Sequence, residues 1–150
     1  MQKARIPITK LTGGIYRNTL EYTNEVFKKY SLGSGTYPYL MILYNKEGIS
    51  QNQISKELAV DKALSARVIK KLIDLGYVRK ETNSKDSRAY CLYLTDKAKL
   101  IIPSMKEELA KWNEIMTQNL TEEEKDDITD LLSKVLGNIK IYRLENEESD

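Results

Sequence analysis

The chain of 150 residues contains no histidine, a single cysteine and no long apolar segment. Without histidine, a Ser-His-Asp or Cys-His catalytic site and the usual zinc ligand sets are excluded, and no phosphate-loop or nucleophile-elbow motif is present. Cys91 alone cannot form a disulfide within the chain, and an incidental or structural role is expected for it. We therefore expect a protein that is not an enzyme and needs no metal ion or cofactor.

The N-terminal segment predicts a cytoplasmic protein. It begins with basic residues, but the apolar stretch of a signal peptide does not follow them. No apolar run reaches the length of a transmembrane helix, so no contact with a membrane is expected.

Charge is unevenly distributed, although the net charge is only +2. Residues 61–90 contain eight basic and four acidic side chains, whereas residues 121–150 contain four basic and ten acidic ones. A basic centre and an acidic C-terminal part indicate that one face of the protein meets a polyanion.

Apolar residues at helical spacing predict amphipathic helices at both ends of the chain. The first covers about 8–30, and the last two follow Thr95 and Thr121, each of which is expected to cap its helix. Pro103 is expected to kink the first of these two helices, the one that follows Thr95. Residues 146–150 are expected to form a frayed acidic tail.

The middle of the chain predicts three short helices and a hairpin. Thr36 is expected to cap a helix that runs to about Tyr44, with Pro38 in its first turn. Ser50 opens a capping box for a helix that ends near Leu58. Asp61 is the expected N-cap of the third helix. We call this helix, over 62–75, the reading helix.

A pair of strands is predicted after the reading helix. Gly76 is expected to end that helix in a left-handed conformation. Strands over 77–81 and 89–94 would then flank a polar hairpin at 82–88. A helix, a tight turn, a second helix and a hairpin form the layout of a winged helix-turn-helix.

The two sides of the reading helix differ in chemistry. At about 100° per residue, Leu64, Val68, Leu72 and Leu75 share a core side. The opposite side presents small residues and long cations, which suits close approach to a major groove, where Arg forks onto guanine. The outward residues are Ala63, Ala66, Arg67 and Lys70. The alternative interpretation is a solvated helix face.

Further DNA contacts are predicted around this face. Lys62 and Ser65 suit phosphate contacts near the start of the helix, and Lys71 adds a further cation. At the hairpin tip an Arg can enter the narrow minor groove, and a neighbouring carboxylate can orient it. The tip residues are Lys85, Asp86 and Arg88. The alternative is a polar turn with an exposed ion pair of little energetic value.

Three segments resemble the MarR family of multiple antibiotic resistance regulators. The reading helix and its continuation to Arg79 resemble the family's recognition segment, and Asp86-Ser87-Arg88 is similar to its D-x-R wing signature. Leu94-Thr95-Asp96-Lys97-Ala98 is similar to the L-T-x-x-[GA] entry to its long helix. Ala66 stands where many members carry Ser or Thr, and its side chain has no polar atom for the corresponding contact.

The resemblance implies a fold, a function and a set of partners. The fold is mostly α-helical with a small β-wing: a DNA-binding lobe over 36–94, and dimerisation helices over 8–30 and 95–146, within one unit over 1–150. The implied function is that of a homodimeric transcriptional regulator, a repressor, on a pseudo-palindromic operator in double-stranded DNA.

The resemblance also implies release from DNA by a small phenolic or lipophilic effector. The matching region lies between the dimerisation helices and the DNA-binding lobe. The residues concerned are Tyr16, Arg17, Tyr30, Tyr37, Leu40 and Met41, and the alternative is that they are core and dimer contacts. For the whole protein, the alternative is a winged-helix module that binds protein instead of DNA.

Overall fold

The computed structural model describes residues 4–33, 35–83 and 86–147; at residues 83 and 86–89 it describes the backbone alone. The predicted mostly helical fold with a small β-wing is confirmed. The elements in chain order are α1 (Ile8–Phe27), a 3-10 turn (Lys28–Tyr30), α2 (Tyr37–Asn45), α3 (Gln51–Leu58), α4 (Lys62–Asp74), β1 (Val78–Asn83), β2 (Asp86–Leu94), α5 (Asp96–Met116) and α6 (Glu122–Glu147).

Most of the predicted helix starts have the expected caps. At α3 the Ser50 hydroxyl accepts from the Gln53 amide, and the Gln53 side chain accepts from the Ser50 amide. At α4 the amide of Leu64 donates to Asp61 Oδ1 over 2.7 Å. Thr95 likewise caps α5. These bonds satisfy amides that would otherwise lack a partner at the start of each helix.

The capping box at α6 is also confirmed. The amide of Thr121 donates to Glu124 Oε2 over 2.8 Å, and the amide of Glu124 donates to Thr121 Oγ1 over 3.2 Å.

The predicted cap at Thr36 is wrong. Its hydroxyl donates to the carbonyl of Gly33 over 2.7 Å and makes no capping bond to α2. The backbone of Thr36 is already helical, with φ −83° and ψ −34°. A capping side chain reaches the helix amides from extended backbone, which Thr36 does not have.

The later helices differ from the prediction at their ends. Helix α5 has 21 residues and continues through Pro103, and the kink stays a prediction. Helix α6 includes Asn146 and Glu147, so the expected fraying at these two positions is wrong. The Asn146 side-chain amide donates to the carbonyl of Tyr142 over 2.7 Å. Residues 148–150 lie outside the described part of the chain.

The wing is longer than its apolar pattern indicated. Strands β1 and β2 pair antiparallel from Val78 opposite Leu94 to Asn83 opposite Asp86. Backbone hydrogen bonds do not require apolar side chains, which is why the pairing extends into the polar segment. Ile49 adds a short bridge to Leu92 on the other edge of β2.

Tyr77, predicted as the first residue of a strand, lies just before β1 instead. Its hydroxyl donates to the carbonyl of Tyr30 over 2.7 Å, and its ring is part of the core. Gly76, just before it, has φ +80°, the left-handed conformation that was predicted at the end of the reading helix.

The core joins the winged helix-turn-helix elements to the first half of α5. Its buried side chains come from the end of α1, from α2, α3, α4, both strands and α5; they include Phe27, Leu40, Leu43, Ile54, Leu72, Leu92 and Ile102. By contrast, every residue of α6 is at least partly exposed. Among the helices of the described residues, none has the length and apolarity to cross a membrane.

Candidate nucleic-acid interface

Helix α4 presents a cationic outer side. Its buried residues are Ser65, Ile69 and Leu72. The residues turned to solvent include six of those predicted to contact DNA: Lys62, Ala63, Ala66, Arg67, Lys70 and Lys71. The structure therefore brings these six together on the exposed side of one helix, next to the capped start of that helix.

The prediction that Ser65 contacts a phosphate is wrong. The residue is 0% exposed, and its hydroxyl lies 3.2 Å from the Tyr39 hydroxyl, which is also buried. The buried side of α4 is rotated from the predicted one, toward Ser65 and Ile69, while Leu64 and Val68 are only half-buried. Serine is usually exposed, so an outward position was predicted for Ser65. It is buried because its hydrogen-bond partner, Tyr39, comes from a different helix.

Lys70 has an acidic neighbour on the outer side of α4. Its ammonium lies 2.8 Å from Asp74 Oδ2, one helical turn further on, and both side chains are exposed. The hydrogen bond to Asp74, followed by the charge of that carboxylate, raises the pKa of Lys70. Lys70 therefore stays charged, but its charge is partly neutralised.

A groove runs along the outer side of α4 and was not predicted from the sequence. It has a volume of about 240 Å³, and Ala66 and Lys70 line it together with Gln51 at the start of α3 and Lys80 on β1. The ammonium of Lys80 lies 5.0 Å from the centre of the Tyr90 ring. Gln51 and Lys80 thus extend the polar surface from α4 onto its neighbours.

The wing tip is described only in part. Lys85 lies outside the described residues. Asp86 and Arg88 belong to β2, of which the backbone is described at these positions. The pairing of their side chains stays a prediction. Below the tip, Arg79 pairs with Glu81 and lies over the Tyr93 ring, with its guanidinium carbon 4.7 Å from the ring centre.

A cavity of about 370 Å³ lies between α1 and the winged helix-turn-helix elements. Tyr16 and Tyr37 line it, as predicted for an effector site. Most of the wall was not predicted and is apolar; it includes Leu20, Pro38, Tyr39, Leu58, Leu64 and Val68. Burial, and next the neighbouring Tyr16, raise the pKa of Tyr37. The Tyr37 phenol is therefore neutral near pH 7 and able to donate a hydrogen bond.

Four residues predicted for the effector site lie elsewhere. Leu40 is 0% exposed within the core, and Met41 packs against the core. The Tyr30 hydroxyl donates to Ser104 Oγ on α5 over 3.0 Å. Arg17 is exposed and lies against Gly13 on its own helix. Neighbouring residues of a helix point about 100° apart, so Tyr16 faces the cavity and Arg17 does not.

Large apolar side chains are exposed on the helices at the two ends of the chain. On α1 they are Ile8, Leu11 and Ile15, each about half exposed. On α6 they recur along the whole helix: Ile128, Leu131, Leu132, Leu136, Ile139, Ile141, Tyr142 and Leu144. We call the set on α1 and α6 the apolar helix surface.

Comparison with known proteins identifies the family. Residues 32–89 match the model of the MarR family. The uncharacterized HTH-type transcriptional regulator YybA of Bacillus subtilis is 32% identical over 133 residues, which cover 89% of each chain. The chain belongs to the MarR family. Its relatives are transcriptional regulators, and this MarR-family chain is accordingly a regulator and not an enzyme.

Solved structures of MarR-family proteins have the same fold. A MarR transcriptional regulator from Methanosarcina mazei is 37% identical with a TM-score of 0.81, covering 87% of this chain and 94% of that one. A MarR-family regulator from Listeria monocytogenes, solved as a complex with a 26mer DNA, is 28% identical with a TM-score of 0.89, covering 97% of each chain.

Proposed function

We propose that this MarR-family protein is a repressor that binds a pseudo-palindromic operator in double-stranded DNA. One observation carries the proposal: α4 buries one side in the core and exposes Arg67, Lys70 and two further lysines on the other. Arg forks onto guanine in the major groove, and Lys reaches guanine or phosphate. The Listeria relative in complex with DNA supports the same use of this fold. Such a repressor acts in the cytoplasm.

The proposal includes a homodimer that joins through the apolar helix surface. Helix α6 has 26 residues and is about 39 Å long at 1.5 Å per residue. An apolar surface of that length is rarely left open to water in a monomer. A second copy of the chain covers it symmetrically, and that symmetry places two reading helices about one DNA turn, roughly 34 Å, apart.

A small phenolic or lipophilic effector is the second part of the proposal. The cavity beside α4 has the size and the apolar wall of a small-molecule site. The phenols of Tyr16 and Tyr37 are the polar groups available there to orient a ligand. Because Leu64 and Val68 of the reading helix belong to the wall, a bound effector touches the DNA-binding element directly.

DNA binding is tested by a mobility-shift titration on the duplex that the protein itself selects from a random-sequence library. We expect Arg67→Ala to weaken binding by about 1 to 3 kcal/mol and to relax sequence preference. Arg88→Ala is expected to weaken binding several-fold, and binding of the parent should fall steeply with added salt. Arg17→Ala, which removes an exposed arginine far from α4 in sequence, is the control.

Two results would count against DNA binding. One is unchanged affinity in both the Arg67 and the Arg88 variants. The other is the absence of any retarded duplex at low salt, which would favour a winged-helix module that binds protein.

The effector is tested separately with phenol and benzoate as the simplest phenolic and aromatic carboxylate probes. Leu20 faces the cavity from α1, and Leu20→Trp fills part of its volume. We expect a probe that binds to release the selected duplex from the parent, and the Leu20 variant to bind that probe more weakly. Release that is equal in the variant would place the probe elsewhere.

A further inference from the structure

One buried hydrogen bond joins α2 to the inner side of the reading helix. The hydroxyls of Tyr39 and Ser65 are 3.2 Å apart, and the two residues are 3% and 0% exposed. Ser65 lies two residues before Arg67 on the same helix. Tyr39 also lines the cavity between α1 and α4. The bond therefore connects the cavity wall to the helix that presents the outward cations.

We infer that Tyr39 and Ser65 are positioning residues that set the rotation of α4 about its own axis. The inference rests on the DNA-binding function proposed above. The other buried side chains of α4, Ile69 and Leu72, make apolar contacts, which have no preferred direction. A hydrogen bond requires both a distance and an angle, so it selects one rotation among those that apolar packing permits.

A small rotation is enough to matter for base recognition. Side chains of a helix extend about 5 to 6 Å from its axis, so a turn of about 10° moves their ends by about 1 Å. A paired contact of Arg67 with a guanine tolerates only a few tenths of an ångström. Lysine contacts to phosphate are flexible and survive such a shift. Loss of the bond therefore lowers sequence preference more than it lowers overall affinity for DNA.

The same bond is within reach of a molecule in the cavity. The cavity wall contains Tyr39 of α2 together with Leu64 and Val68 of α4. Ser65 lies next to Leu64 in the chain and turns toward the core. A ligand that displaces Tyr39 breaks the bond and frees α4 to rotate.

The test compares Tyr39→Phe, Ser65→Ala and the double variant with a matched control. The control is Tyr77→Phe, because Tyr77 is also 3% exposed and its hydroxyl makes one part-buried hydrogen bond, to the carbonyl of Tyr30 over 2.7 Å. For each protein, the dissociation constant is measured on the duplex selected by the parent and on a scrambled duplex of the same composition. Thermal unfolding is measured in parallel.

For each single variant we compare the affinity for the selected duplex with the affinity for the scrambled duplex. We expect the ratio of the first to the second to fall about tenfold, while the affinity for the scrambled duplex hardly changes. The double variant should unfold at a temperature closer to that of the parent than either single variant does, because no buried hydroxyl is left unpaired. Its ratio should stay low. Tyr77→Phe should lower the unfolding temperature and leave the ratio unchanged.

The inference would be overturned if the ratio of the two affinities stayed unchanged in both single variants, or if that ratio fell equally in Tyr77→Phe. Neither result touches the proposed DNA binding, which is tested separately by the Arg67 and Arg88 variants and by whether the parent protein retards a duplex at all.

Discussion

Individual residues of α4 differ in how freely they can meet DNA. Arg67 and Lys71 are exposed and have no ion pair within the described residues, whereas Lys70 shares its charge with Asp74 over 2.8 Å. Ser65, on the other side of the helix, is entirely buried. Residue type alone does not show which of these side chains can contact DNA, because that also depends on burial and on neighbouring partners.

Asp74→Asn is expected to strengthen DNA binding. The change removes one negative charge from the outer side of α4 and releases the ammonium of Lys70 for a phosphate. We expect the affinity for DNA at low salt to rise about two- to fivefold. The slope of log K against log salt should become steeper by an amount that corresponds to up to about one phosphate contact. A mobility-shift titration at several salt concentrations measures both.

Asp130→Asn is the matched control, because Asp130 is an exposed aspartate on α6. Equal strengthening in both variants would mean that only the net charge of the protein matters, and that the Lys70 pair does not.

At the scale of elements, local bonds at helix starts hold α3 and α4 in place. The Asp61 carboxylate accepts from the amide of Leu64 at the first turn of α4. We expect Asp61→Ala to lower the free energy of unfolding by about 1 kcal/mol, because an amide at the start of the helix loses its partner. Asp61→Asn keeps a capping oxygen and should cost much less. Denaturant unfolding of the two variants distinguishes capping from charge, since equal losses would contradict the capping role.

One carboxylate contributes to the contact between α1 and α5. Tyr22 donates to Glu108 Oε2 over 3.0 Å, and its ring stacks on Trp112 at 4.6 Å. The hydrogen bond from Tyr22 is the largest influence on Glu108 and lowers the pKa of its carboxyl. A lowered pKa means that the contact is fully stabilised above the ordinary value of 4.5 and weakens as the pH falls through the lowered value.

We therefore expect emission from Trp112, the only tryptophan in the chain, to change below pH about 4.5 in the parent. In Glu108→Gln this change should be much smaller. Glu107→Gln is the control, because Glu107 pairs with Lys111 over 3.4 Å. An identical acid transition in all three proteins would show that other groups determine it.

At the scale of the whole molecule, the helices at the two ends of a single chain leave apolar side chains uncovered. The apolar helix surface on α1 and α6 is exposed, although the core around α2, α4 and the wing is closed. The hydrophobic effect favours covering that surface, and covering it by a second copy would also set the distance between two reading helices.

Leu131→Glu is expected to dissociate the proposed dimer. Leu131 is 59% exposed on α6, and a carboxylate there would be buried without a partner when two copies join. Light scattering after size exclusion measures the mass, which should fall to that of one chain, and affinity for the selected duplex should fall with it.

Leu100→Glu is the control. Leu100 is 81% exposed on α5, outside the apolar helix surface. A dimeric Leu131 variant, or a monomeric parent, would contradict the proposed interface.

Features that depend on neighbours along the chain can be predicted from the order of residues alone. The capping bonds of Ser50, Asp61, Thr95 and Thr121 join residues three positions apart, so local residue types suffice to predict them. The helix order and the outward cations of α4 follow from hydrophobic periodicity in the same way.

Contacts between side chains of different elements could not be predicted in this way. The sequence placed Ser65 among the DNA contacts, and it is instead buried because Tyr39, from another helix, supplies its partner. The cavity wall likewise combines residues of α1, α2, α3 and α4. Burial depends on how separate elements pack, and packing contacts leave no local pattern in the chain.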